Sequence, residues 1–198
     1  MRERISNAKK LQGKDLINIG IFTAIYLVIV VAVAMLGFMP IFFPLLSIIA
    51  PILGGIPCML FFTKVKKPGM IFIMSVIMGI MMILTGMGPY ALFVGIVAGI
   101  AAELIYKSGN YASASKAILA YGVFSVWIWG NYFLFYCNQE QFFAAKESFG
   151  QEYKDTILQI MPMWLFPVLL VLTFVSGIIG GFLGKAMLKK HFERAGVA

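Results

Sequence analysis

The sequence predicts an all-α membrane protein, a bundle of six transmembrane helices with both termini on the cytoplasmic side. Three observations lead there. Of 198 residues, 61% are hydrophobic and only 12% are charged, against about 25% charged in an ordinary soluble domain. The charges sit in short clusters separated by long apolar runs. Those clusters are basic in alternate connections, which is how topology is written into a membrane chain.

A helix rising about 1.5 Å per residue needs about 20 apolar residues to cross a hydrocarbon core of about 30 Å. Six segments meet or approach that length. Residues 17–38 carry only Asn18 and Thr23 as polar interruptions. Residues 41–63 contain Pro44, Pro51 and Pro57 with Gly54 and Gly55 between them. Residues 69–87 are rich in Met, and 90–106 are apolar except for Glu103. Residues 117–136 and 160–183 complete the set. All six belong to one membrane domain covering 1–198, with no polar stretch long enough for a soluble catalytic domain.

Of the 16 Lys and Arg residues, 14 lie on one side of this arrangement. They are Arg2, Arg4, Lys9, Lys10 and Lys14, then Lys64, Lys66 and Lys67, then Lys107 and Lys116, and finally Lys185, Lys189, Lys190 and Arg194. The other side keeps Lys146 and Lys154 against Glu140, Glu147, Glu152 and Asp155. The net charge of +8 therefore reflects topology, and nucleic acid is not an expected partner. The first apolar run is too long for the h-region of a cleavable signal peptide, about 7–15 residues.

Residues 137–159 form the longest polar connection. Phe142, Phe143, Phe149, Tyr153, Ile157 and Ile160 recur in it at helical spacing, which predicts one or two short amphipathic helices at the outer interface. A solvated linker is the plainer reading, and a lid over an outward-facing pocket the functional one.

Small residues four apart allow close helix packing in lipid. Gly95/Gly99, Ala98/Ala102, Gly177/Gly181 and Gly180/Gly184 are expected to pack inside the bundle, while Gly20/Ala24 are candidates for a contact with a partner subunit.

The chain lacks the usual catalytic constellations. It has no GxxxxGK[ST] phosphate loop, no HExxH and no GxSxG elbow, so no enzyme is expected. The single histidine, His191, belongs to a basic tail, and no metal site or cofactor is expected. Cys58 and Cys137 fall toward opposite membrane faces, beyond the reach of a disulfide. Glu103 is the one carboxylate inside a span. Snorkelling, or pairing with Lys107 four residues on, accounts for it without an ion-transport role.

The outer ends of the later helices are more informative. Ligand pockets want apolar, aromatic walls with a few placed polar groups. Tyr90, Trp127, Trp129, Asn131, Tyr132, Met161, Met163 and Trp164 supply both, and are the candidate substrate-binding residues. Aromatic residues at an interface are as often a plain belt, but Trp129 and Asn131 lie deeper than a belt needs. A membrane-buried Asn, however, must satisfy its amide by a helix contact or a ligand.

Several stretches are similar to one family. The segment 14–26 (KDLINIGIFTAIY), residues Gly54–Pro57 followed by 63–67 (TKVKK), and 102–111 (AELIYKSGNY) resemble the Trep_Strep family, whose members are expected to be S components of energy-coupling factor (ECF) transporters. The likeness extends over nearly the whole chain. It implies a membrane-embedded subunit that captures a small molecule outside the cell. Delivery would require a transmembrane T component and two ATPase subunits, with Gly20 and Ala24 on the helix that meets the T component. Known ligands of S components are vitamins, their precursors or metal ions. The histidine-rich N-terminus of the metal-transporting relatives is absent here. A vitamin-like heterocycle is one expectation. Another is a tetrapyrrole such as haem, with Met161, Met163, a Tyr or Cys137 as axial donors. The alternative from another class is a membrane scaffold that binds protein partners and no small molecule.

Overall fold

In a computed structural model of the chain, residues 10–144 and 146–189 are described. Arg2, Arg4, Lys9, Lys190, His191 and Arg194, named above from the sequence, lie outside the described residues.

Helix α1 (Gly13–Ala34) opens with a reciprocal cap. The Gln12 backbone N–H donates to Asp15 Oδ2 at 2.8 Å, satisfying a donor that the first helical turn leaves open. Two 3-10 turns, Met35–Phe38 and Pro40–Phe42, lead into α2 (Leu46–Lys64). The sequence predicts helix from residue 41. Pro40 and Pro44 have no N–H to continue an α-helical ladder, so the chain winds tightly there and α2 starts later. Farther along, α2 runs through Pro51 and Pro57, which membrane helices tolerate when neighbours satisfy the freed carbonyls. Tyr121 ties into this stretch of α2, its hydroxyl donating to the Pro51 carbonyl at 2.6 Å.

The third span is shorter than expected. Helix α3 (Met70–Leu84) has 15 residues and rises about 22 Å, less than the hydrocarbon thickness. It is followed by a turn through Gly86 and Gly88, both at positive φ, and then by α4 (Tyr90–Lys107). Next comes α5 (Ala114–Ser125), which passes into a seven-residue 3-10 segment, Val126–Tyr132, and then into α6 (Phe133–Cys137). The polar connection contains α7 (Gln139–Ala144), a 3-10 turn at Glu147–Phe149, and α8 (Gly150–Ile160). The last helix is α9 (Leu165–Met187). Among the described residues, five runs are long and apolar enough to cross a membrane: Gly13–Phe38, Leu46–Lys64, Tyr90–Lys107, Ala114–Cys137 and Leu165–Met187. Among the described residues there is no strand.

Helix α9 packs along α2 and α5, α3 packs along α4, and α1 closes the bundle against α2 and α3. The α2–α9 seam is a backbone-to-backbone contact. A Cβ at Gly55 would collide with the Gly180 carbonyl, and one at Gly180 with the Pro51 carbonyl. Only glycine admits that approach. Gly99 faces the Ser75 side chain of α3 in the same way, and Ser75 Oγ donates to the Gly95 carbonyl at 2.6 Å.

Glu103 does not behave as the sequence suggests. It is buried, and among the described residues it makes no ion pair with Lys107. One carboxylate oxygen accepts from the Ile71 backbone N–H at 2.9 Å and from the Phe72 N–H at 3.4 Å. The other accepts from the Tyr111 hydroxyl at 2.9 Å. Glu103 thus caps the N-terminus of α3 from a neighbouring helix. A carboxylate is favoured there by the open N–H groups and the helix dipole, which outweighs an exposed pair with Lys107.

Candidate functional site

The 3-10 segment Val126–Tyr132 carries four of the eight candidate residues, Trp127, Trp129, Asn131 and Tyr132. Such runs rarely exceed three or four residues, and here close packing accompanies the longer one. A Cβ at Gly130 would come 2.7 Å from the Ala91 Cα of α4, so the chain presses directly onto that helix. At three residues per turn, Ile128 and Asn131 lie on one ridge. The Asn131 side-chain N–H accordingly donates to the Ile128 carbonyl at 3.0 Å.

Asn131 Oδ1 is the exception to an otherwise satisfied interior. Among the described residues it is the buried side-chain oxygen or nitrogen that has no hydrogen-bond partner. Asn131 is one of the residues lining an inner chamber of about 70 Å³. The walls are Val30 and Val33 of α1, Phe43 and Leu46 at the head of α2, Met82 and Met87 around the end of α3, and Trp127, Ile128 and Tyr132. Trp127 is fully buried, and its indole N–H donates to the Tyr26 hydroxyl at 3.2 Å. The Tyr132 hydroxyl donates to the Phe43 carbonyl at 3.0 Å. Both polar tips are thereby engaged, and Asn131 is the chamber-lining residue whose side chain keeps an unpartnered acceptor.

Ala34, Phe43, Leu46 and Met87 also line a second, outer chamber of about 220 Å³. Its other walls are Gly37 and Phe38, the Thr85–Gly86 turn, and Lys146, Phe149 and Tyr153 of the polar connection. This connection lies across the bundle end. Phe142 packs on Phe43 and Phe135 with centroids 5.4 and 5.3 Å apart. Phe149 meets Phe38 at 5.6 Å, and the Tyr153 hydroxyl donates to the Gly37 carbonyl at 2.8 Å. Phe142, Tyr153 and Ile157 are buried beneath α7 and α8, whereas Gln139, Glu140, Gln151, Glu152 and Asp155 face outward. Ligand pockets commonly measure about 300–1,000 Å³, so the two chambers together fall just short of that range.

The sequence-predicted rim separates into three groups. Trp127, Asn131 and Tyr132 meet at the inner chamber. Tyr90 and Trp129 line a different surface, an apolar groove of about 480 Å³ between α4 and α5 that also includes Phe93 and Val97. Trp129 is anchored there, its indole N–H donating to the Phe166 carbonyl at 2.8 Å. In a bilayer such a groove is filled by lipid chains. Met161 is buried with Phe135, Phe142 and Ile157 under the connection, whereas Met163 and Trp164 are 69% and 65% exposed at the start of α9. Of the residues that sequence reasoning passed over, Phe43 stood between two prolines four apart, and Lys146 was one of two basic residues on its side of the chain. Met87 and Val33 had no distinguishing signal.

At the basic side of the bundle, Gly20 and Ala24 are exposed along α1, and nothing lies within 4 Å of a Cβ built on Gly20. Exposed Ile17, Ile21 and Val28 flank them.

Residues 13–194 match the family model described as "Hypothetical bacterial integral membrane protein (Trep_Strep)". The chain belongs to the Trep_Strep family. No curated protein and no solved structure matches it. The stretches by which this Trep_Strep chain resembles its family build the end opposite the chambers. Lys67 pairs with Asp15 at 2.8 Å and also donates to the Lys10 carbonyl at 2.9 Å. Tyr106 donates to the Phe62 and Tyr111 carbonyls, both at 3.0 Å, beside the Glu103 cap. Gly54 and Gly55 lie in the helix crossings, Gly54 against Tyr26 and Tyr121 and Gly55 against Gly180. These stretches act as scaffold, and the lining of the inner chamber is supplied by other residues.

Proposed function

We propose that this Trep_Strep protein is the substrate-binding S component of an ECF-type importer in the bacterial plasma membrane. It crosses the membrane six times, the short α3 being completed by the turns on either side. Both termini are cytoplasmic, in keeping with the basic residues gathered at one end. A small molecule enters the chambers from outside beneath the α7–α8 connection. A T component docks on the Gly20/Ala24 face of α1, and two ATPase subunits supply the energy, so the chain itself is not an enzyme.

The observation that carries this reading is the unpartnered Oδ1 of Asn131, a residue that lines the apolar inner chamber. An unsatisfied buried acceptor costs about 1–3 kcal/mol, a cost that a ligand donor removes on binding. A water molecule is a poor substitute. It needs two to four polar partners, and the other polar tips described here are engaged with protein. A vitamin-sized heterocycle suits the chambers better than a tetrapyrrole, because the larger holds only about 220 Å³ and Met161 and Met163 line neither of them.

The test is to express the tagged chain with its gene cluster and to analyse both its partners and its small-molecule content. A T component with two ATPases should co-purify, and the isolated subunit should carry a stoichiometric metabolite that Asn131→Leu loses. Protein partners of another kind, with no metabolite at all, would replace this reading with the scaffold alternative.

A further inference from the structure

The outer chamber holds one formal charge among its lining residues, and that charge is positive. Lys146 follows α7 and contributes to the chamber wall, whose other polar side chains are Thr85 and Tyr153. Both of those are engaged: the Thr85 hydroxyl donates to the Met82 carbonyl at 2.9 Å, and Tyr153 to Gly37. No carboxylate lines the chamber. Lys146 is half-buried, and its ammonium lies over the Phe142 ring at 3.9 Å from the centroid. Glu140 and Glu147 share a separate hollow of the connection with Lys146. Among the described residues, however, no carboxylate comes within 4 Å of its ammonium.

A half-buried ammonium held only by an aromatic face lacks the charge-assisted hydrogen bonds that normally compensate for burial. Desolvation accordingly pushes the Lys146 pKa below the usual lysine value. The aromatic contact holds the ammonium over Phe142 and leaves its three donors available, and Lys146 itself lines the chamber. Beyond Lys146 the path toward Asn131 is apolar, bounded by Phe43, Leu46 and Met87.

We propose that the substrate is an amphipathic anion, whose carboxylate or phosphate is bound by Lys146 in the outer chamber while its otherwise apolar body brings a hydrogen-bond donor to Asn131 in the inner one. This inference rests on the reading of the protein as a substrate-binding subunit and adds the charge class of the substrate to it. It also separates the roles of the two outer basic residues. Lys154 lies 5.4 Å from the Phe143 ring and does not line the outer chamber.

The test uses the full chain in nanodiscs made only of zwitterionic phosphatidylcholine. The probes are two fractions of a small-molecule extract from the producing cell, separated by anion exchange into anionic and non-anionic pools. Thermal unfolding and mass spectrometry of the bound species are read for wild type, Lys146→Met, Lys146→Arg, Lys154→Met and Asn131→Leu. The anionic pool should stabilise the wild type and leave a bound species. Lys146→Met should weaken that binding at least tenfold, Lys146→Arg should largely retain it, and Lys154→Met should match the wild type. Phosphatase treatment of the pool distinguishes a phosphate from a carboxylate. Asn131-dependent binding from the non-anionic pool, or undiminished binding by Lys146→Met, would overturn the charge assignment while leaving the binding-subunit reading intact. No binding from either pool would overturn both. A Lys146-dependent stabilisation that appears only when anionic phosphatidylglycerol is added to the disc would assign the cation to a lipid headgroup and overturn the substrate proposal.

Discussion

Replacing Asn131 with Leu should make the ligand-free protein more stable and the binding site worse. Leu is close to Asn in size and presents no polar atom to the inner chamber. The substitution abolishes an unsatisfied acceptor, whose burial costs about 1–3 kcal/mol, and gives up the 3.0 Å bond to the Ile128 carbonyl, worth about 0.5–1.5 kcal/mol. The difference is a net gain of about 1 kcal/mol, equivalent to about 2–4 °C in Tm for a chain of this size. Ligand affinity should fall by about tenfold or more, the equivalent of one lost hydrogen bond at about 1.4 kcal/mol. Thermal unfolding in detergent, followed by intrinsic tryptophan fluorescence, measures the first effect. Retention of the co-purified metabolite measures the second. A variant that unfolds earlier than wild type and keeps its metabolite would refute the reasoning, because Asn131 would then be a structural residue whose carbonyl is satisfied within the protein.

Glu103→Ala should cost about 3 kcal/mol or more, since it strips a charged acceptor from two backbone donors and a tyrosine hydroxyl. Lys107→Ala should cost under about 0.5 kcal/mol, the scale of an exposed i, i+4 pair, and equal losses in a denaturant titration would contradict the capping role. Trp127→Phe should reduce metabolite retention by loosening the inner chamber wall, while Trp129→Phe should lower stability by about 1 kcal/mol and leave retention unchanged, as judged by mass spectrometry beside an unfolding curve. Gly20→Leu should fold normally, because the added side chain points into open space, but should reduce recovery of T component and ATPases in a pull-down. A loss of monomer stability would instead place Gly20 in the bundle.

Much of the architecture was legible in the sequence because the bilayer imposes long-range order on composition. A run such as Leu165–Met187 has few alternatives to a long membrane helix, and the segregation of Lys and Arg follows from the energetics of insertion. The amphipathic recurrence of Phe142, Tyr153 and Ile157 likewise marked the connection that covers the chambers. These are one-dimensional signals, carried by spacing and charge along the chain.

What spacing could not decide was how neighbouring helices settle their polar groups. Glu103 and Lys107 stand four apart and suggest a local pair. Only the tertiary structure brings the α3 N-terminus to the carboxylate, and open backbone donors in a dry environment win over an exposed cation. Trp127 and Trp129 are two residues apart and look equivalent in sequence. The 3-10 winding of Val126–Tyr132 turns the first into the inner chamber and the second toward the lipid-facing groove. Lys146 and Asn131 are joined only through walls supplied by α1, α2 and the end of α3. Composition established that this chain lives in a membrane, and three-dimensional packing decided where a ligand has room inside it, because a cavity is a property of the space between helices.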